Sequence, residues 1–210
     1  RPSELRSTTG TTADLSLSGV SRDTRTGANI LPMCLVAPTG AGKSTAAILA
    51  ACDVAIVEAR SSLVLFRGAA EADAWRERFD AIVTGSSLRW SIVSARLGSD
   101  LDKYVSDGVV PDVVAMSLDD LVLKVLSDAA RQRFEPLLSR VGLVVIDDLE
   151  SFSGAAEQHL QIALRRLKRA LQAAGAMQVG PQGRSNLAIV AMMQPSSPDM
   201  DKWARAVLSE

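Results

Sequence analysis

The sequence predicts an α/β fold in three layers, with helices on both sides of a mostly parallel central sheet. Short apolar, β-branched runs alternate with longer helical stretches from Ile30 onward, as parallel strands joined by crossover helices require. One run leads through Ala37-Pro38-Thr39-Gly40-Ala41-Gly42-Lys43-Ser44-Thr45 into a helix-forming stretch, so strand, phosphate-binding loop and helix stand in register. A second run, Leu143-Val144-Val145-Ile146, ends in Asp147-Asp148-Leu149-Glu150, an apolar strand that terminates in acids.

Each element follows from its own residues. Residues 1–29 are rich in Ser, Thr, Gly and Arg and read as a loosely packed N-terminal segment or linker. The folded lobe then spans 30–210. Apolar runs place strands over 33–36, 63–66, 90–94, 112–116, 142–147 and 187–192. Helices fill 43–59, 69–82, 118–126, 129–138, 155–174 and 198–208. In the second helix Trp75, Phe79 and Ile82 form a core stripe, and Trp90 is a buried strand residue. The helix over 155–174 shows its buried face in Leu160, Leu164, Leu167 and Leu171, with Gly175 as its C-cap. Arg165, Lys168 and Arg169 fall on its solvated side, and His159 is a surface or interface residue. Gly180, Pro181 and Gly183 mark 178–186 as a loop, and Ser197-Pro198 supplies a cap and first turn for the last helix.

Composition narrows the function classes. At 210 residues with 47% hydrophobic and 22% charged residues, the chain has the make-up of a globular domain with a sizeable core. A net charge of −1 means that any nucleic-acid contact comes from a local patch. Two cysteines and one histidine exclude a disulfide framework and a histidine metal cluster, and fit a reducing cytoplasm. No apolar run is long enough to span a membrane. The chain opens on Arg1, not Met, and its charged tail follows directly on a helix, which reads as a segment of a longer polypeptide.

The chemistry is that of a nucleotide with its metal. Gly40 and Gly42 let backbone N–H groups turn toward an anion at a helix N-terminus, with Thr39, Ala41 and Thr45 completing the cradle. Lys43 reaches the outer phosphates of ATP, and Ser44 is placed to ligate Mg²⁺. Asp147, at a strand's C-terminal end, is the second metal-side residue. Asp148 is the candidate base that orients water, one methylene shorter than the usual Glu, and Glu150 substitutes for it only if the loop bends back.

These motifs resemble the first RecA-like lobe of a superfamily 2 helicase, a P-loop NTPase fold. The loop carries Ala37 where the general pattern has Gly, as that superfamily usually writes it. Ser62-Leu63-Val64-Leu65-Phe66-Arg67-Gly68 is similar to motif Ia, and Asp112 through Leu121 to motif Ib. By that resemblance Arg67, Gly68, Ser117 and Leu118 inherit contacts with nucleic-acid backbone. Asp147-Asp148-Leu149-Glu150-Ser151-Phe152-Ser153-Gly154, with Arg165-Arg166-Leu167-Lys168 beyond it, resembles bacterial helicases of the mitomycin-repair and DISARM phage-defence type.

The resemblance implies an ATP- and Mg²⁺-dependent motor acting on DNA rather than RNA. It also implies a second lobe beyond Glu210, or partner subunits of a larger complex. The departures argue for a second reading, a pseudo-helicase that keeps the nucleotide site as a scaffold. No adenine-reading Gln stands among residues 1–32, and Ala191-Met192-Met193-Gln194-Pro195 replaces the family's Ser-Ala-Thr. A small-metabolite kinase lacks a lid and an acceptor site.

Overall fold

The computed structural model describes residues 31–92, 101–177 and 187–195. Its elements are β1 (Leu31–Val36), α1 (Lys43–Val57), β2 (Ser61–Phe66), α2 (Ala69–Val83) and β3 (Trp90–Ile92). Then come α3 (Leu101–Ser106), β4 (Val113–Ser117), α4 (Leu118–Asp120) with a π-helical turn (Leu121–Val125), and α5 (Asp128–Arg140). β5 (Val141–Ile146), a 3₁₀ turn (Leu149–Ser151), α6 (Ala155–Ala173) and β6 (Ala188–Met193) complete the lobe. The six strands lie in the order β1-β6-β5-β2-β4-β3. Every neighbouring pair is parallel, which sharpens the expected mostly parallel sheet.

Two apolar layers enclose the sheet because successive strand residues point to opposite faces. Val64, Phe66, Val113, Ala115, Leu143 and Val145 pack with Ala47, Ile48 and Ala51 of α1 and with Ala72, Trp75 and Phe79 of α2. Leu63, Leu65, Val114, Met116, Val144 and Ile146 pack on the other side with α5 and α6. Covered on both faces, β2, β4 and β5 are buried at every position. Such strands are continuous apolar runs, which is how they were readable in the sequence.

The α6 face is as expected: Leu160, Leu164, Leu167 and Leu171 are all buried. Gly175, at φ 82°, follows the helix as C′. Its N–H donates to Gln172 O at 3.1 Å and the Ala176 N–H to Leu171 O at 2.9 Å, a Schellman pair that needs the left-handed residue glycine tolerates.

Three expectations change. The α2 stripe is Ala72, Trp75, Phe79 and Val83, whereas Ile82 is 39% exposed. Steps of three and four keep to the buried side of a 3.6-residue period, and Ile82 lies past its edge. The helix expected over 118–126 is one α-turn followed by a π-turn, closed by the Leu126 N–H on Leu121 O at 2.9 Å. Arg166 Nη2 holds Leu126 O at 2.8 Å, so the wider turn is tied to α6. The short helix α3 has no counterpart in the expected elements, since six residues are too few for a periodic signal. The segment 1–29, strand residues 93–94, the loop 178–186, the helix 198–208 and the side chain of Trp90 lie outside the described residues.

The α2 layer rests on aromatic packing. Trp75 stacks on Phe79 at 5.1 Å between ring centroids and meets Phe66 edge-on at 6.0 Å. Phe79→Ala should therefore cost about 3–5 kcal/mol in urea unfolding. Leu123→Ala, at a residue 72% exposed, should change stability by less than about 0.5 kcal/mol.

Candidate nucleotide site

The phosphate loop hangs from the C-terminal end of β1, where the Ala37 N–H donates to Met193 O of β6 at 3.1 Å. Gly40 and Gly42 adopt φ 80° and 89°, a region glycine enters freely. A Cβ built on either meets nothing within 4 Å, so conformation and not crowding demands glycine, and the loop faces open space. Gly42 is the N-cap of α1 and offers no side-chain cap, which leaves the N–H groups of the first turn to a ligand. Lys43, the first helical residue, folds its ammonium onto the loop, donating to Ala37 O at 2.7 Å and Pro38 O at 3.3 Å. Thr39, Ala41 and Thr45 are exposed around it, and Ser44 is half-buried.

The acids arrive from β5. One strand, β6, lies between β1 and β5. At about 4.8 Å per strand step, the loop and the acids stand roughly 10 Å apart across the C-terminal rim. Asp147 follows Ile146 directly, with its N–H on Leu65 O at 3.0 Å. Burial raises its carboxyl above the ordinary range, offset by the Asp148 N–H and by the charges of Arg78 and Lys43. A half-buried carboxylate of that kind gains from a further cation, so Asp147 and Ser44 fit the role of metal ligands.

Asp148 is held at φ 51° and ψ 60°, left-handed backbone that costs an L-residue about 1 kcal/mol and that Asp tolerates better than most. Partial desolvation, the Glu150 carboxylate and then Asp147 push its carboxyl up to about 6. The chain does bend back after it. The 3₁₀ turn buries Leu149 and Phe152 and brings the Glu150 carboxylate to the end of β6, where Oε1 accepts the Gln194 N–H at 3.0 Å. Glu150 Oε2 is buried without a donor among the described residues.

Two contacts had no sequence signal. Arg78 Nη1 of α2 donates to Ser44 Oγ at 3.0 Å, and Glu150 meets the β6 end through a backbone amide. Both depend on which elements lie side by side, and no residue spacing encodes that. The candidate nucleic-acid residues separate. Arg67 is exposed and its Nη1 donates to Ser151 O at 2.8 Å, and Gly68 caps α2. Ser117 instead turns inward: it is buried, accepts the Asp120 N–H at 3.1 Å and donates to Asp120 Oδ2 at 2.8 Å, capping α4 beside buried Leu118. His159, expected at the surface or an interface, lies 3.5 Å from Asp119.

A family model for DEAD/DEAH box helicases matches residues 22–190. The chain belongs to the DEAD/DEAH box helicase family. Among solved structures, the DUF1998 helicase MrfA bound to DNA is similar at 18% identity and a TM-score of 0.67, over 85% of this chain and 24% of that one. MrfA bound to DNA and AMPPNP gives 18% and 0.66, over 85% and 23%. The Hef helicase domain of Pyrococcus furiosus gives 16% and 0.54, over 84% of this chain and 33% of that one. The UvsW helicase of bacteriophage T4 gives 16% and 0.51, over 84% and 51%. At this identity the likeness establishes the fold, the RecA-like lobe of the helicase family. The chain spans about a quarter of the MrfA chain. No curated protein sequence matches it. Within that family the chain departs in the box itself, which reads Asp147-Asp148-Leu149-Glu150. No described helix is long and apolar enough to cross a membrane.

The raised Asp148 carboxyl makes stability depend on pH. Its folded value of about 6 stands above the ordinary aspartate value of 3.8, so its stabilising contribution is complete below the lower value and is lost as pH rises through the upper. In EDTA, the melting temperature of the wild type should fall relative to that of Asp148→Asn between about pH 4 and pH 7. A difference between the two proteins that stays constant over that range would refute the raised value.

Proposed function

We propose that this chain is the ATP-binding lobe of a superfamily 2 DNA helicase or translocase, in which ATP hydrolysis drives movement along nucleic acid. The observation that carries the reading is the convergence of the β1 phosphate loop and the β5 acids on one rim, on either side of the β6 end. Thr39 through Thr45 cradle the phosphates. Lys43 exchanges the Ala37 and Pro38 carbonyls for the β- and γ-phosphate oxygens. Ser44 and Asp147 hold Mg²⁺, which supplies positive charge to the phosphate oxygens when bound. Asp148 takes the proton of the attacking water, and with a carboxyl near 6 it is largely ionised at neutral pH.

DNA is favoured over RNA because the MrfA structures, which support the subgroup resemblance of the acidic segment, contain DNA. Arg67 and Gly68 present the β2 end to the nucleic-acid backbone, and Ser117 contributes by shaping the α4 turn. A second lobe or partner subunits complete the motor. Phage defence or DNA repair is its setting and the cytoplasm its location.

The decisive measurement is ATPase activity of the full-length protein with and without DNA. Wild type should be stimulated by DNA, and Lys43→Ala should fall by at least about 100-fold, the scale of losing one charged transition-state contact. Equal hydrolysis by the two proteins overturns the motor.

The scaffold reading draws on the left-handed, shortened Asp148 and on the missing hydroxyls at Ala191 through Gln194. Asp148→Glu separates the two. A gain in turnover of about tenfold or more would mark a site held below its capacity, whereas a loss would mean that Asp148 is already well placed.

A further inference from the structure

Helix α2 packs beside α1 on the same sheet face, with Ala72, Trp75 and Phe79 in one apolar cluster with Ala47, Ile48 and Ala51. Arg78, adjacent to Phe79, is carried by that packing to the first turn of α1. There its Nη1 donates to Ser44 Oγ at 3.0 Å. This is a poor place for a cation on helix grounds alone, since the N-terminus of α1 is its positive end. Two groups favour it: the Ser44 hydroxyl that accepts its hydrogen bond, and the negative charge of Asp147. Of the cations acting on Asp147, Arg78 outweighs Lys43. The guanidinium thus engages the same two residues that fit a divalent metal.

We propose that Arg78 and the divalent cation compete for the Ser44 hydroxyl, so that Arg78 sets how strongly nucleotide binding depends on Mg²⁺. The proposal rests on the phosphate loop being a nucleotide site. A hydroxyl oxygen that ligates a divalent cation cannot keep a guanidinium 3.0 Å away without like-charge repulsion, so Mg²⁺ binding requires Arg78 to leave. Arg78 is an exposed side chain on a surface helix, and leaving takes only a change of rotamer. Metal-free nucleotide, in contrast, meets a site in which Arg78 still supplies one positive charge beside the phosphates. Arg78 therefore aids metal-free nucleotide and opposes the metal complex.

The test is the affinity of the full-length protein for AMPPNP, measured by calorimetry in Mg²⁺ and in EDTA. Removing the charge should raise the ratio of the two dissociation constants, EDTA over Mg²⁺, by about fivefold in Arg78→Ala, the scale of one exposed charge contact. Arg78→Gln keeps a donor for Ser44 but loses the charge. It should show the same rise, and it carries the test if the alanine variant misfolds. A ratio that is unchanged or lower in both variants overturns the proposal, a lower one marking Arg78 as a ligand of the metal-bound phosphates. The nucleotide reading is judged separately by Lys43→Ala, which should weaken AMPPNP binding in both conditions. A wild type that binds no AMPPNP at all removes that reading, and this proposal with it.

Discussion

A sheet of parallel strands covered by helices on both faces has one strict requirement: nothing polar but hydrogen-bonded backbone belongs in its middle. Here β2, β4 and β5 are buried at every position, and their only polar side chains are serines at the strand ends. At the start of β2 the Ser61 hydroxyl donates to Pro111 O at 2.8 Å, whereas Ser62 Oγ is buried without a partner among the described residues. The constraint therefore drives the site chemistry to the strand ends. Val36 is followed within a few residues by the phosphate loop, and Ile146 is followed at once by Asp147. Lys43 and the acids occupy places where a helix has just begun or a strand has just stopped, and Arg78 reaches them from the body of α2.

Once gathered there, the charges must balance locally. Asp147, Asp148 and Glu150 stand within one short segment: the Glu150 charge raises the proton affinity of both aspartates, Lys43 partly offsets it at each, and Arg78 adds to that offset at Asp147. The chain handles the excess geometrically. Asp148 takes a left-handed turn, Leu149 and Phe152 anchor that turn in the apolar layer, and Glu150 is passed to the Gln194 amide. Where the family places hydroxyls after its last strand, this chain joins the acidic loop to that strand's end through a carboxylate and a main-chain N–H.

The sequence was legible wherever one residue's surroundings are set by its own neighbours. The phosphate loop, the acid-ended strand, the leucine face of α6 and the Gly175 cap are local patterns, and each stands where its spacing put it. Legibility failed where two distant elements meet. Arg78 looks like any solvent-side arginine of α2 until α2 is laid against α1. Ser117 takes a backbone contact from its resemblance to motif Ib, which carries no information on the cap that its hydroxyl makes on the Asp120 N–H. Arg166 is claimed by the wide turn at Leu126, a contact that no spacing within α6 encodes. Ile82 failed for a milder reason, since one residue in a 3.6 period decides between the edge and the inside of a face.

The strand that carries the phosphate loop has a single neighbour among the described strands. β1 is held in the sheet by β6 alone, and those two strands come from opposite ends of the described chain. Pairing them makes the longest loop closure in the lobe, the one that costs the most chain entropy. The scaffold for α5 and α6 can assemble without β1, but the rim cannot. A ligand bound across that rim would therefore also fasten the β1–β6 seam, by mass action on the pairing that carries the phosphate loop.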